Sequence, residues 1–236
     1  MPDLHWTMPV AHWSFWSATS APMPDAGFIE PMVRRRLSSL SRVALKVAYD
    51  CADGKEAVRM VFASRHGELR RTTDILHAIT AAEPVSPNAF SLSVLNAMSG
   101  IFGIARSDRS PATAISAGAE TLGYALLEAY AQYITQPSPP VLLVYADEPA
   151  DALYGSVEDE VQEGALAILL DADAAQGQLE CTLCGPDEAD KAGGATASAR
   201  FATQSEAIAH CLDSRRPATW QSASANWQWR WHDRAA

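Results

Sequence analysis

Cysteine is scarce: the chain has four in 236 residues, Cys51, Cys181, Cys184 and Cys211. A chain of this length with so few does not build a disulfide framework. Cys181-x-x-Cys184 also lacks the second pair that a four-ligand structural zinc site requires. Leu179, Cys181 and Leu183 alternate, which predicts a strand carrying cysteine as a small buried hydrophobe. No metal and no cofactor is expected. Long apolar runs are missing as well. Val141 to Ala146 and Ala165 to Leu170 are the longest, too short for a membrane span. The opening MPDLHWTMPV has no basic stretch leading into an apolar one, which sets the expectation of a cytoplasmic protein. Positive charge is short, with 18 Lys and Arg against 28 Asp and Glu and a net charge of −10. A nucleic-acid partner would want the opposite balance. The local exception, Arg34-Arg35-Arg36 with Arg42 beyond it, is read as a solvated helix start and not as a docking site. No internal repeat is present.

What the chain does have is 48% apolar residues, enough for one large α/β domain or one domain with an appendix. His12 to Ser17 is a candidate edge strand. Leu37, Leu40, Ala44, Val47 and Cys51 recur at helical spacing, with Ser38 or Ser39 as the cap and Asp53-Gly54 as the close. Ala57 to Ser64 predicts a buried strand, and Glu68 to Ala82 a helix ended by Glu83-Pro84. Pro87 to Arg106 is a loop running into a helix. Ala112 to Ser116 is a short β-prone segment, and beyond it Leu122, Leu126, Ala129, Tyr130 and Tyr133 share one helix face. Val141 to Ala146 is a strand of the kind buried on both faces. Gly164 to Asp171 and Gln178 to Leu183 suggest two more strands, joined as a hairpin across Ala174 to Gly177. Ser205 to Leu212 is a short helix. Trp227, Trp229 and Trp231 alternate along a final strand, and such a face must pack on this domain or on another chain. The expected division is a domain over 1–185, a linker over 186–204, and a helix with a Trp-rich strand over 205–236.

Alternating strands and helices predict a mostly parallel five-stranded sheet with helices on both faces. The informative stretch is Thr113-Ala114-Ile115-Ser116-Ala117-Gly118, a strand end, a small-residue turn and a helix start. Such an elbow displays one side chain and aims helix N–H groups at it. Ala114-x-Ser116-x-Gly118 is close to the G-x-S-x-G elbow of α/β-hydrolases. Ser116, with Asp147 or Asp171 and then His210, would complete their chain order. No Gly-rich oxyanion loop lies upstream, and a serine in a tight turn is more often a cap.

A second reading rests on resemblance. Val85 to Gly100 (VSPNAFSLSVLNAMSG) is similar to a segment of β-ketoacyl synthases that runs S-P-x-x-F-x-x-S-V-H-N-x-x-x-G. Thr113 to Gly118 (TAISAG) resembles their T-A-C-S-x-G nucleophile elbow. Val61 to Glu68 (VFASRHGE) resembles the second strand of that family and its turn. The order and spacing agree over roughly residues 10 to 185. In particular the chain resembles the shortened, synthase-like subunits of aryl polyene (xanthomonadin-type) pigment clusters, which are similar to polyketide chain length factors.

The resemblance implies a thiolase-like fold and a partner role. The cysteine of the family falls on Ile115, which cannot form a thioester, and its histidine falls on Leu95. Its C-terminal half, with two further histidines and a lysine, has no room here. Ser116 follows the nucleophile position and cannot replace it. The implied function is that of a non-catalytic subunit paired with an active β-ketoacyl-acyl-carrier-protein synthase, meeting acyl carrier protein through that complex. In the family the strand before the elbow pairs across the dimer two-fold. The interface and acyl-pocket candidates are therefore Ala114, Ile115, Gly118, Leu122, Ala125 and Ala129, with Phe90, Met98 and Phe102 close to the pocket. A purely structural homodimer is the remaining alternative.

Overall fold

The computed structural model describes residues 3–19, 22–186 and 198–234. In chain order these form β1 (Leu4–Val10), β2 (His12–Ser17), α1 (Pro31–Arg34), α2 (Ser39–Cys51), β3 (Arg59–Ala63), α3 (Leu69–Thr80), α4 (Pro87–Ser91), α5 (Ala97–Arg106) and β4 (Ala112–Ile115). The order continues with α6 (Thr121–Thr135), β5 (Val141–Asp147), β6 (Gly164–Leu170), β7 (Gly177–Cys184), β8 (Ala199–Arg200), α7 (Gln204–Ser214), β9 (Ala218–Gln221) and β10 (Asn226–Asp233).

The strands make two five-stranded sheets, ordered β2-β6-β5-β3-β4 and β1-β7-β10-β9-β8. The expected mostly parallel sheet is corrected: the first sheet is mixed. Its β3–β4 and β3–β5 pairs are parallel, whereas β5–β6 and β2–β6 are antiparallel. The connections explain the difference. Helices α3 to α6 lie between β3 and β5 and supply the crossovers that parallel neighbours need. No α-helix separates β5 from β6, so β6 can return only antiparallel.

Every residue of β3 and β5 is buried. Leu142, Val144 and Ala146 point into a core shared with α2 and α5, where Leu40, Val43, Ala44, Val47, Met98 and Phe102 pack. Val141, Leu143 and Tyr145 point the other way, toward α6 and α7 with Leu122, Leu126, Ile208 and Leu212. Cover on both faces is what a continuous apolar strand requires. Helix α2 begins where Ser38 caps it, its hydroxyl accepting the Ser41 N–H at 3.0 Å.

The second sheet closes the far side of the α6–α7 layer. Trp227, Trp229 and Trp231 alternate inward along β10, and join Trp6, Met8, Leu179, Cys181 and Leu183 in the same core. The Trp-rich strand thus packs on its own chain. Because β10 pairs with β7, the C-terminal segment shares a sheet with the N-terminal strand β1. Cys181 sits fully buried in β7, with its thiol pushed up by burial. Residues 187–197 of the expected linker lie outside the described residues.

The hairpin expected between 164 and 183 is also corrected. β6 pairs with β2 and β5, while β7 pairs with β1 and β10 in the other sheet. The β1–β2 stretch breaks at Ala11 in the same place, so the antiparallel ribbon leaves one sheet and enters the next. Hydrogen bonds from Ala11 N–H to Leu169 O (2.9 Å) and from Gln176 N–H to Val10 O (2.8 Å) bracket the step.

Candidate functional site

The site is the elbow from β4 into α6. β4 lies beside β3 on one side, Ala112–Ile115 opposite Met60–Ala63, and is the last strand of its sheet. Among the described residues its other edge carries no strand. The chain then turns through Ser116 and Ala117 to Gly118, whose φ of +61° is in the left-handed region that glycine adopts without penalty. The Ala117 N–H donates to Thr121 Oγ1 at 2.8 Å, and the Thr121 hydroxyl donates to Gly118 O at 2.7 Å. These bonds tie the turn to the first residue of α6.

Beneath the elbow lies the turn that follows β3. Asp147, at the end of β5, is 0% exposed. It accepts the Ser64 hydroxyl at 2.9 Å, the Arg65 N–H at 2.6 Å and the His66 N–H at 3.1 Å. Burial pushes the Asp147 carboxyl above its ordinary range, and these donors pull the other way. The Ser64 hydroxyl in turn accepts the Gly67 N–H at 2.8 Å. His66 Nε2 meets Glu160 Oε1 at 2.8 Å. Burial alone would raise Glu160, but the His66 bond and the Val161 and Ala150 N–H groups outweigh it and hold the carboxyl below its usual range.

The serine-hydrolase triad is not assembled. Ser116 is exposed, and its hydroxyl donates to Arg65 O at 3.0 Å. Asp147 is committed to the turn, and Asp171 accepts from Lys55 Nζ at 2.5 Å. His210 stacks obliquely on Phe201, with ring centroids 4.8 Å apart. Among the described residues no group of three or more His, Cys, Asp or Glu is placed to hold a metal ion. None of their helices is long and apolar enough to cross a membrane.

The interface and pocket candidates fall into separate places. Ile115 is half-buried and packs on the α6-side core, while Ala114 packs on the α2–α5 side. Gly118 is exposed. Leu122, Ala125 and Ala129 are buried inside this chain, with Ala125 at 0% exposure. They hold α6 on its own sheet and present nothing outward. Met98 and Phe102 are core residues of α5, whereas Phe90 is 63% exposed. The outward surface of α6 is another face: Tyr124, Leu127, Glu128 and Ala131 line a groove of ≈ 540 Å³ with Ile115, Ser116 and Ala117. Ile104, on the outer side of α5, is 81% exposed. Helical spacing identifies an apolar face, but both faces of α6 carry apolar residues, and only the packing shows which one is free.

The sequence pattern of the β-ketoacyl synthase N-terminal domain matches residues 6–230. The chain belongs to the β-ketoacyl synthase family. Its fold is thiolase-like, with the mixed sheet described above, and solved structures share it. One is a ketosynthase (ApeO) in complex with its chain length factor (ApeC) from Xenorhabdus doucetiae, with TM-score 0.77 and 22% identity, covering 95% of this chain and 99% of that one. Another is the ishigamide ketosynthase/chain length factor, with TM-score 0.66 and 15% identity over 97% and 99% of the two chains. A β-ketoacyl synthase from Burkholderia phymatum STM815 aligns with TM-score 0.61 and 11% identity over 92% and 87%. Among curated proteins none matches at the sequence level.

Proposed function

We propose that this synthase-family chain is a non-catalytic, chain-length-factor-like subunit that pairs with an active β-ketoacyl-acyl-carrier-protein synthase of the aryl polyene type. The observation that carries the reading is a nucleophile elbow built in full around a residue that cannot be a nucleophile. The strand, the left-handed glycine and the helix start are in place, yet Ile115 stands where the resemblance puts cysteine. An aliphatic side chain carries no acyl group. The active partner supplies cysteine and histidines, and acyl carrier protein meets the complex in the cytoplasm through that partner.

The surface around the elbow supports pairing. Large apolar side chains are exposed on the helices between β3 and β4: Leu76 and Ile79 on α3, Phe90 on α4 and Ile104 on α5. Exposed apolar side chains are what a partner surface would cover. Among the described residues no strand pairs with the outer edge of β4, and such an edge is a liability for a chain left alone. The likeness to structures that contain a ketosynthase with its chain length factor, each covered over 99% of the matched chain, supports the same reading.

Co-expression with a full-length β-ketoacyl-acyl-carrier-protein synthase from the same genome tests it. The expected result is one complex containing both chains, by light scattering, and no acyl adduct on this chain by mass spectrometry after incubation with acyl carrier protein substrates. Separate elution of the two proteins, or condensation by this chain alone, would overturn it.

A further inference from the structure

The Trp-rich end of the chain has no role in the function proposed above, yet it makes a set of contacts at one place. Glu120, immediately before α6, is only 9% exposed. Both of its carboxylate oxygens are taken by the C-terminal segment. Oε2 accepts from Trp227 Nε1 at 3.2 Å, and Oε1 accepts from the hydroxyls of Ser222, at 3.1 Å, and Ser224. One turn later the Gly123 N–H donates to Gln204 Oε1 of α7 at 2.9 Å. A Cβ at Gly123 would fall 2.7 Å from the Trp227 ring, so the indole lies directly on the helix backbone. Next along, Tyr124 meets the same indole edge-on, with centroids 5.3 Å apart and planes at 84°. Tyr124 is also one wall of the groove beside Ile115.

We infer that Trp227 and Glu120 are positioning residues for the elbow, so that the C-terminal strand fixes the surface this chain presents to its partner. This rests on the pairing proposed above. The physical basis is that the first turn of α6 receives little from β4 itself. β4 is short and open on one side, and the turn between the two is held by the two Thr121 bonds and by the Ser116 hydroxyl on Arg65 O. Leu122 holds the start of α6 on the sheet, and from the other side of the helix it is held by a carboxylate with three donors and an indole against a glycine. A buried, charge-assisted contact of this sort fixes geometry better than apolar packing, because it tolerates few alternative orientations.

The test compares Glu120→Ala and Trp227→Phe with Trp231→Phe, which removes the same ring from the same face of β10 but donates to Asp233 of its own strand. Affinity for that synthase is read by calorimetric titration, with circular dichroism to confirm that each variant is folded at the assay temperature. Amide hydrogen exchange is followed over residues 116–124. Trp227→Phe and Glu120→Ala are expected to lose at least tenfold in affinity and to exchange faster in that segment alone, while Trp231→Phe matches wild type in both. Equal affinity in Trp227→Phe and wild type, or an equal loss in Trp231→Phe, overturns the inference. If wild type binds no synthase, the pairing itself falls. The exchange arm then decides alone, and unchanged rates at 116–124 in Trp227→Phe sink the positioning role.

Discussion

Replacing Ile104 by arginine separates an interface from a core more cleanly than any change in the buried face of α6. Helix α5 turns Met98 and Phe102 into the core, and leaves Ile104 81% exposed on its outer side. A substitution at such a position shifts the stability of the chain by no more than about 0.5 kcal/mol. Arginine suits the last turn of a helix, where a cation meets the negative end of the dipole, so the fold of the isolated chain should be untouched. The complex should not be. Removing a buried isoleucine forfeits about 1.5–3 kcal/mol of apolar burial, and an unpaired guanidinium taken out of water adds a further cost. A total of at least about 3 kcal/mol corresponds to roughly a hundredfold weaker binding. Calorimetric titration against the synthase reads this directly, with thermal melts of the free chain as the check on folding. Asp173→Arg, in an exposed turn, puts the same side chain elsewhere and should bind as wild type. If Ile104→Arg melts normally and binds with undiminished affinity, α5 does not touch the partner and the proposed face is misplaced.

Ile115→Cys should give no condensation and no acyl adduct in the isolated chain, because the half-buried thiol gains no histidine to make it a thiolate; mass spectrometry after substrate incubation is the check. Ala125→Arg should unfold the chain and not merely dissociate a complex, at a cost above about 4 kcal/mol, visible as lost circular dichroism in the absence of any partner. Asp147→Asn should cost about 1–3 kcal/mol in urea denaturation, since an amide oxygen cannot replace a carboxylate that accepts from Ser64, Arg65 and His66 together. A midpoint equal to wild type would show that the turn does not depend on that carboxylate.

The elements carried by local pattern were legible in the sequence. Val141 to Ala146 was apolar throughout, and is a strand covered on both faces; the alternating tryptophans lie on one face of β10. What was not legible depended on pairings far apart in the chain. The stretch from Gly164 to Leu183 has the composition of a hairpin, but a hairpin is decided by which strands compete for each arm. β2 and β5 take the first arm, and β1 and β10 take the second. The candidate site divided in the same manner. The elbow was visible as a run of small residues ending in Gly118. Glu120 was not visible, because its three donors come from residues 222 to 227, a hundred positions away. Gly123 inside a strong helix was the one available hint, since a glycine there costs about 1 kcal/mol against alanine and is retained only where something must come close.

For the pairing proposed above, charge favours an unlike partner over a second copy of this chain. Pairing through β4 across a two-fold would place identical surfaces together, so each charge near the axis would face its own image. The chain carries −10, and Glu128 lines the groove that would lie beside that axis. In a homodimer two such carboxylates would be drawn toward each other and partly desolvated, with a cost that apolar contacts nearby would first have to offset. Across a heterologous pair the facing residue is free to differ, and a neutral or basic one there turns the same position from repulsion into attraction. The second sheet sharpens the point. With Trp227, Trp229 and Trp231 spent on covering the α6–α7 layer, the large apolar side chains left exposed include Leu76 and Ile79 of α3, Phe90 of α4 and Ile104 of α5, the helix that packs on the open strand. The open strand therefore adjoins a mostly apolar groove that carries one carboxylate, Glu128, and the partner proposed above would complement it with an apolar surface that does not place a second carboxylate there.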